Sequence, residues 1–167
     1  IYEFCAENVT LLEKAMEAGA RRIELCDNLA VGGTTPSYGV TKAAVELAAN
    51  YDTTIMTMIR PRGGDFVYNE LEIAIMLEDI RLTAQAGSRG VVFGALTADK
   101  KLDKPNLEKL IAASKGMEIV FHMAFDELSD EDQLEAIDWL SRAGVTRILT
   151  RAGVSGDSLE KRFAHYH

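Results

Sequence analysis

One joint recurs three times in the chain: "AGARRIEL" from Ala18, "AGSRGVVF" from Ala86 and "AGVTRILT" from Ala143. Each time a helix-like segment ends in Ala-Gly, a short link follows, and an apolar, partly β-branched run begins. Gly19, Gly87 and Gly144 can adopt the left-handed conformation that terminates a helix, which makes each joint a helix-to-strand exit. A chain built on such exits alternates strands with helices, and strands joined through helices pair in parallel. Two architectures satisfy that pattern, an open doubly wound sheet and a closed barrel.

Reading outward from the joints predicts strands at 2–5, 22–26, 54–59, 90–93, 118–122 and 147–150. A helix over 70–86 begins with Asn69 as cap and Glu72 completing a capping box, and it carries Ile73, Leu77, Ile80 and Ala84 as an apolar stripe. A helix over 131–143 follows Ser129, with Leu134, Ile137 and Leu140 at helical spacing. Pro105 fits the first turn of another, followed by Leu107, Leu110 and Ile111.

Strand chemistry favours the barrel. In "YEFC" and "IELC", Glu3 shares a face with Cys5 and Glu24 with Cys26, opposite Tyr2 with Phe4 and Ile23 with Leu25. Central strands of an open sheet are apolar on both faces, whereas a barrel interior turns polar toward its functional mouth. No strand is followed by GxGxxG or GxxxxGK[ST], so the nucleotide-binding form of the open sheet loses its best evidence. The expected fold is therefore α/β, a TIM-type (β/α) barrel forming a single domain over residues 1–167. About six of the eight strand–helix units are present, so the barrel is expected to be incomplete at its C-terminal end.

The formal charge of −8 and the absence of a long basic run argue against nucleic acid as a partner. No apolar stretch reaches the ~20 residues of a membrane span, and no signal peptide is recognisable, so a cytoplasmic protein is expected. An acidic barrel of this size is also compatible with a homo-oligomer. The two cysteines, Cys5 and Cys26, form no CxxC and are too few for a disulfide framework.

Barrels of this kind gather function at the carboxyl ends of their strands. Taken in order, those ends bring Glu3 and Cys5, Glu24 with Cys26 and Asp27, Arg60 and Arg62, Gly94, His122 with Asp126, and Thr150 with Arg151 to one rim. In "IRPRGGDF", Arg60, Arg62, Gly63 and Gly64 suit a cradle for a carboxylate or phosphate, alongside the "GGTTPS" loop at 32–37. The competing reading pairs Arg60 or Arg62 with Glu3, Glu24 or Asp65. Cys5 and Cys26 on one inward face, at equivalent strand ends, could meet a soft ion such as Cu(I), with Met58 and Met123 adding thioethers; buried cysteine and methionine are also ordinary core fillers. Glu3, Glu24, His122 and Asp126 are the acid–base candidates, with His122 and Asp126 as a pair. A strand-end histidine that simply bonds a neighbour is the alternative. His165 and His167 read as surface residues.

The segments "IELC", "GGTTPSYG", "MIRPRGGDFVY", "FGALT", "FHMAFD" and "RILT" occur in this order, and with them the chain resembles the CutC family, long labelled copper homeostasis proteins. The resemblance covers nearly the whole chain and implies a TIM-type barrel and copper binding or tolerance. Two departures stand out: Met123 replaces the arginine usual in "FHRAFD", and the glycine-rich segment that usually follows the seventh strand is absent. Two functions follow as expectations. One is a copper homeostasis protein binding Cu(I) through Cys5 and Cys26 at the barrel mouth. The other is a barrel enzyme of unassigned reaction acting on a small anionic or sugar-like substrate.

Overall fold

A computed structural model of the chain describes residues 1–151, and in them strands and helices alternate throughout. The strands are β1 (Glu3–Glu7), β2 (Arg22–Cys26), β3 (Thr54–Met58), β4 (Gly90–Phe93), β5 (Glu118–Phe121) and β6 (Arg147–Ile148). Between them lie α1 (Leu12–Glu17), α2 (Tyr38–Ala48), α3 (Glu70–Ala86), α4 (Lys104–Ala113) and α5 (Asp130–Ala143), with short 3₁₀ turns at Leu29–Val31 and Met123–Glu127. None of the helices among the described residues is long and apolar enough to cross a membrane.

Local chemistry starts and stops these helices as the sequence predicts. Asn69 and Glu72 form a reciprocal capping box on α3, Ser129 accepts from the Asp132 amide on α5, and Asp103 caps α4 with Pro105 in its first turn. At the three repeated joints Gly19, Gly87 and Gly144 have φ of +99°, +88° and +94°. The face of α5 differs from expectation. Ala136 and Leu140 are the residues buried against the sheet, while Leu134 is 73% exposed. Leu140 is buried as expected, but Ala136 joins it in place of Leu134 and Ile137.

All six strands run parallel in the order β1-β2-β3-β4-β5-β6, each beside its neighbour in sequence. A doubly wound sheet reverses its strand order at a switch point. This sheet never does, so it is the singly wound sheet of a (β/α) barrel, with six of the eight strands of a complete one among the described residues. The helices cover one face only. Ile23, Leu25 and Ile55 pack on Leu12, Met16, Ala44 and Ala48, and Val91, Phe93, Ile119 and Phe121 pack on α3, α4 and α5. The opposite, inner face carries a separate cluster made of strand residues alone: Cys26, Met56, Met58, Val92 and Val120.

That inner face is tightly filled at Gly90, which faces Met56 on β3 and Glu118 on β5. A Cβ at this position would run into the Met56 methyl group and the Glu118 carbonyl oxygen. Because one obstacle is backbone and cannot swing aside, Gly90→Ala is expected to cost about 3 kcal/mol, the upper end for overpacking. A shift of the urea midpoint checks this, and an unchanged midpoint would show that the strands spread easily.

Candidate metal centre

β1 and β2 are in register with Cys5 opposite Glu24 and Glu7 opposite Cys26. The two thiols are therefore one pleat apart along the strands and not level, as equivalent strand ends would have made them. Glu24 bridges the offset. Its Oε1 accepts from Cys5 Sγ at 3.6 Å and from Cys26 Sγ at 3.9 Å, and the three ligand-type atoms all lie within 4.8 Å of one another. Glu24 and Cys26 are buried and Cys5 is exposed.

Both cysteines are free thiols. With strands ~4.8 Å apart and a rise of ~3.3 Å per residue, a one-pleat offset separates the Cα atoms by about 8 Å. Disulfides need no more than about 6.8 Å. The pair is arranged to share an ion more readily than to bond directly. Its charges are suppressed: burial, then the neighbouring Glu3, raises the pKa of Glu24. The hydrogen bond with Cys5, followed by burial and the Glu24 charge, pushes the Cys26 thiol far up. Cys26 thus keeps its proton through the physiological range unless a metal displaces it.

Of the two methionines, Met58 is the one near this centre. A Cβ on Gly33 would lie 2.9 Å from Cys26 Sγ and 3.6 Å from Met58 Cε, so the 32–37 loop closes over both. Met123 lies elsewhere, against Gly32 and with its sulfur 3.3 Å from Arg151 Nη2.

Arg60 leaves the end of β3 as a buried cation, 3% exposed. Its Nη1 donates to the carbonyls of Val31 (2.7 Å) and Gly33 (3.0 Å), and its Nη2 to that of Gly64 (2.8 Å). The side chain stitches the two glycine loops together and lies 5.0 Å from the Phe66 ring centre. The run of arginines and glycines thus builds a carbonyl cage around Arg60; loop carbonyls, not loop amides, face its guanidinium. Neither Glu3 nor Glu24 nor Asp65 pairs with it among the described residues. Arg62 instead bonds Glu72 at 2.5 Å and Asp65 at 3.1 Å, which ties the loop to the start of α3. Gly63 lies flush against Val31, where a Cβ would come within 2.8 Å, and Gly64 has φ of +84°.

His122 is fully buried, and its Nδ1 accepts from the Ala124 amide at 3.2 Å, capping the Met123–Glu127 turn. Burial, then the charge of Arg60, pushes its pKa down to about 3. The expected pairing with Asp126 does not form. Asp126 accepts from Thr150 Oγ1 at 2.5 Å and from the Arg151 amide at 3.0 Å, anchoring the segment after β6. Glu3 opens β1 and bonds Arg22 at 2.5 Å, at the amino end of the strand and away from the mouth. β1 starts and ends later than predicted, so its carboxyl end is Glu7 and not Cys5. Phe66 and Tyr68, which line the region around Arg60, were not singled out from the sequence although "GGDFVY" contains them. His165 and His167 lie outside the described residues.

The sequence matches the CutC family over residues 1–162. A CutC family protein of Enterococcus faecalis is 52% identical over 165 residues, covering 99% of this chain and 79% of that protein. A second, from Streptococcus pyogenes, is 52% identical over 150 residues, 90% of this chain and 72% of its own length. The crystal structure of the copper homeostasis protein CutC from Streptococcus agalactiae superposes with a TM-score of 0.95 at 46% identity, over 99% of this chain and 79% of that one. A Schiff base forming fructose-1,6-bisphosphate aldolase superposes with a TM-score of 0.65 at 16% identity, over 93% of this chain and 60% of that one, a likeness of fold alone.

Proposed function

This chain belongs to the CutC family, and on that premise we propose that it is a cytosolic copper-handling protein holding Cu(I) between Cys5 and Cys26. The observation that carries the reading is the cluster of two thiols and a carboxylate within 4.8 Å on the inner face. Two metal–thiolate bonds of about 2.3 Å, the zinc–sulfur value, span about 4.6 Å, so an ion fits between these sulfurs with little movement of the strands. Thiolates select Cu(I), whereas a carboxylate oxygen is a poor ligand for it. Glu24, to which both thiols already donate, is better placed to pass their protons on to solvent as the ion enters. A reducing cytosol keeps such thiols available. The description of the Streptococcus agalactiae relative as a copper homeostasis protein points the same way.

The enzyme reading has less support. Of its acid–base candidates, Glu3 is ion-paired at the far end of β1, Asp126 is engaged with the segment after β6, and Glu24 is enclosed by the thiols.

Anaerobic titration with Cu(I) against a calibrated chelator tests the copper reading, using the wild type and the Cys5→Ser and Cys26→Ser variants. One Cu(I) per chain is expected. Removing a group that only hydrogen-bonds to a metal's ligand typically costs 10- to 100-fold in affinity, so removing either thiol ligand itself is expected to cost at least about 100-fold. Wild-type affinity in folded Cys26→Ser would place copper elsewhere.

A further inference from the structure

Among the described residues, the buried side-chain polar atoms without a hydrogen-bond partner are Arg60 Nε, Tyr68 Oη and His122 Nε2. They belong to one neighbourhood. Register pairs Met58 with Val92 and Phe93 with Phe121, so the next inward positions are Arg60, Gly94 and His122, side by side where β3, β4 and β5 end. Gly94 has no side chain, which lets His122 lie close against its backbone. A Cβ there would lie 2.7 Å from His122 Cε1, so the imidazole occupies the room a side chain would take. Phe66 packs on both partners, 5.0 Å from Arg60 Cζ and 4.9 Å between ring centres from His122. The Tyr68 oxygen is near enough to Arg60 to interact with its N–H groups, short of a well-formed hydrogen bond, and feels the charges of both Arg60 and Arg62, while its own proton stays free to donate.

The three atoms have the same chemistry. Arg60 Nε carries a hydrogen, and because His122 Nδ1 accepts from Ala124, the imidazole proton resides on Nε2. Tyr68 can donate as well. All are donors, beside a buried guanidinium that no carboxylate neutralises within 4.0 Å among the described residues. Buried donors of this kind are normally satisfied, and what they lack is an acceptor bearing negative charge.

We propose that Arg60, Tyr68 and His122 form a subsite for a small oxyanion, the carboxylate or phosphate group of a small molecule that enters from the barrel mouth. The site is separate from the thiol pair, which lies on β1 and β2. Phe66 covers it and is also a wall of two open cavities of about 740 and 510 Å³, sizes suited to a small molecule. The larger cavity also exposes Asp99, Asp126 and Glu127, which repel a uniformly anionic ligand. The fitting ligand carries its anion at one end and a neutral body in the cavity.

The full chain, labelled with nitrogen-15, is titrated separately with inorganic phosphate and with acetate, with sodium chloride as the ionic-strength control. Proton–nitrogen spectra read the Arg60 Nε–H and His122 Nε2–H signals directly. Both signals are expected to move saturably, with one shared dissociation constant, for at least one probe, and the probe that works assigns the ligand as phosphate or carboxylate. Tyr68→Phe removes only a hydroxyl and is expected to weaken that binding at least about tenfold, the loss of one hydrogen bond to a charged group. No saturable movement with either anion overturns the proposal, as does binding of equal strength in folded Tyr68→Phe.

Discussion

The affinity for Cu(I) is expected to climb at least tenfold for each pH unit between pH 6 and pH 8. Thiolate is the form that binds metal, and Cys26 holds its proton far above its usual range because Cys5 bonds to it, burial disfavours its charge and Glu24 repels its anion. Throughout this window each ion bound must therefore expel the Cys26 proton, which gives a slope of at least one in a plot of log affinity against pH. Delivery of thiolate by both cysteines takes the slope toward two. Over two pH units the gain is about 100-fold for one proton and about 10,000-fold for two, with each tenfold step worth about 1.4 kcal/mol. Competition titrations at pH 6, 7 and 8, corrected for protonation of the chelator, measure it. Cys26→Ser is expected to bind weakly and to lose one unit of slope. A flat wild-type profile would mean that copper does not displace this proton and that Cys26 is not a ligand.

What the sequence disclosed and what it concealed divide along a physical line. Helix exits depend on a few adjacent residues, and Gly19, Gly87 and Gly144 all adopt the left-handed conformation their Ala-Gly joints required. The capping box of Asn69 and Glu72 is equally local and equally legible. Alternation in "YEFC" and "IELC" correctly placed Cys5, Glu24 and Cys26 on one face, because side-chain parity survives any shift of strand ends. Depth along the barrel does not survive such a shift. β1 runs on to Glu7, which moved Glu3 to the wrong end for chemistry. The partners of Arg60 were hidden for another reason: Val31, Gly33 and Gly64 recognise it through backbone carbonyls, and these leave no mark in residue identity. His122 and Asp126 are four residues apart, yet the intervening turn sends them to different partners.

Acid should destabilise this fold through His122. The imidazole faces Arg60, the rings of Phe66 and Phe121, the Gly94 backbone and the Ala124 amide, which points its hydrogen at Nδ1. Protonating Nδ1 would break that hydrogen bond and bury a second cation beside Arg60. The folded pKa of about 3 lies below the unfolded 6.5, so between these values the unfolded chain binds the proton more strongly. The stabilisation is complete above pH 6.5 and declines as pH falls, by about 1.4 kcal/mol per unit, until it is gone near pH 3. At pH 4.5 the loss from this one group is about 3 kcal/mol. His122→Asn retains an acceptor for the Ala124 amide but cannot titrate. It is expected to be less stable than wild type at pH 7, because the smaller side chain leaves a void, yet to lose about 3 kcal/mol less between pH 7 and pH 4.5 in urea unfolding. Carboxylates held by cations, such as Glu118 between Arg89 and Arg147, also weaken in acid, but they do so in both proteins and cancel in the comparison. Equal pH losses in the two would assign acid sensitivity to those carboxylates. A smaller loss in the variant would identify His122 as an imidazole held neutral, whose part at the barrel mouth is to donate through Nε2 and not to carry charge.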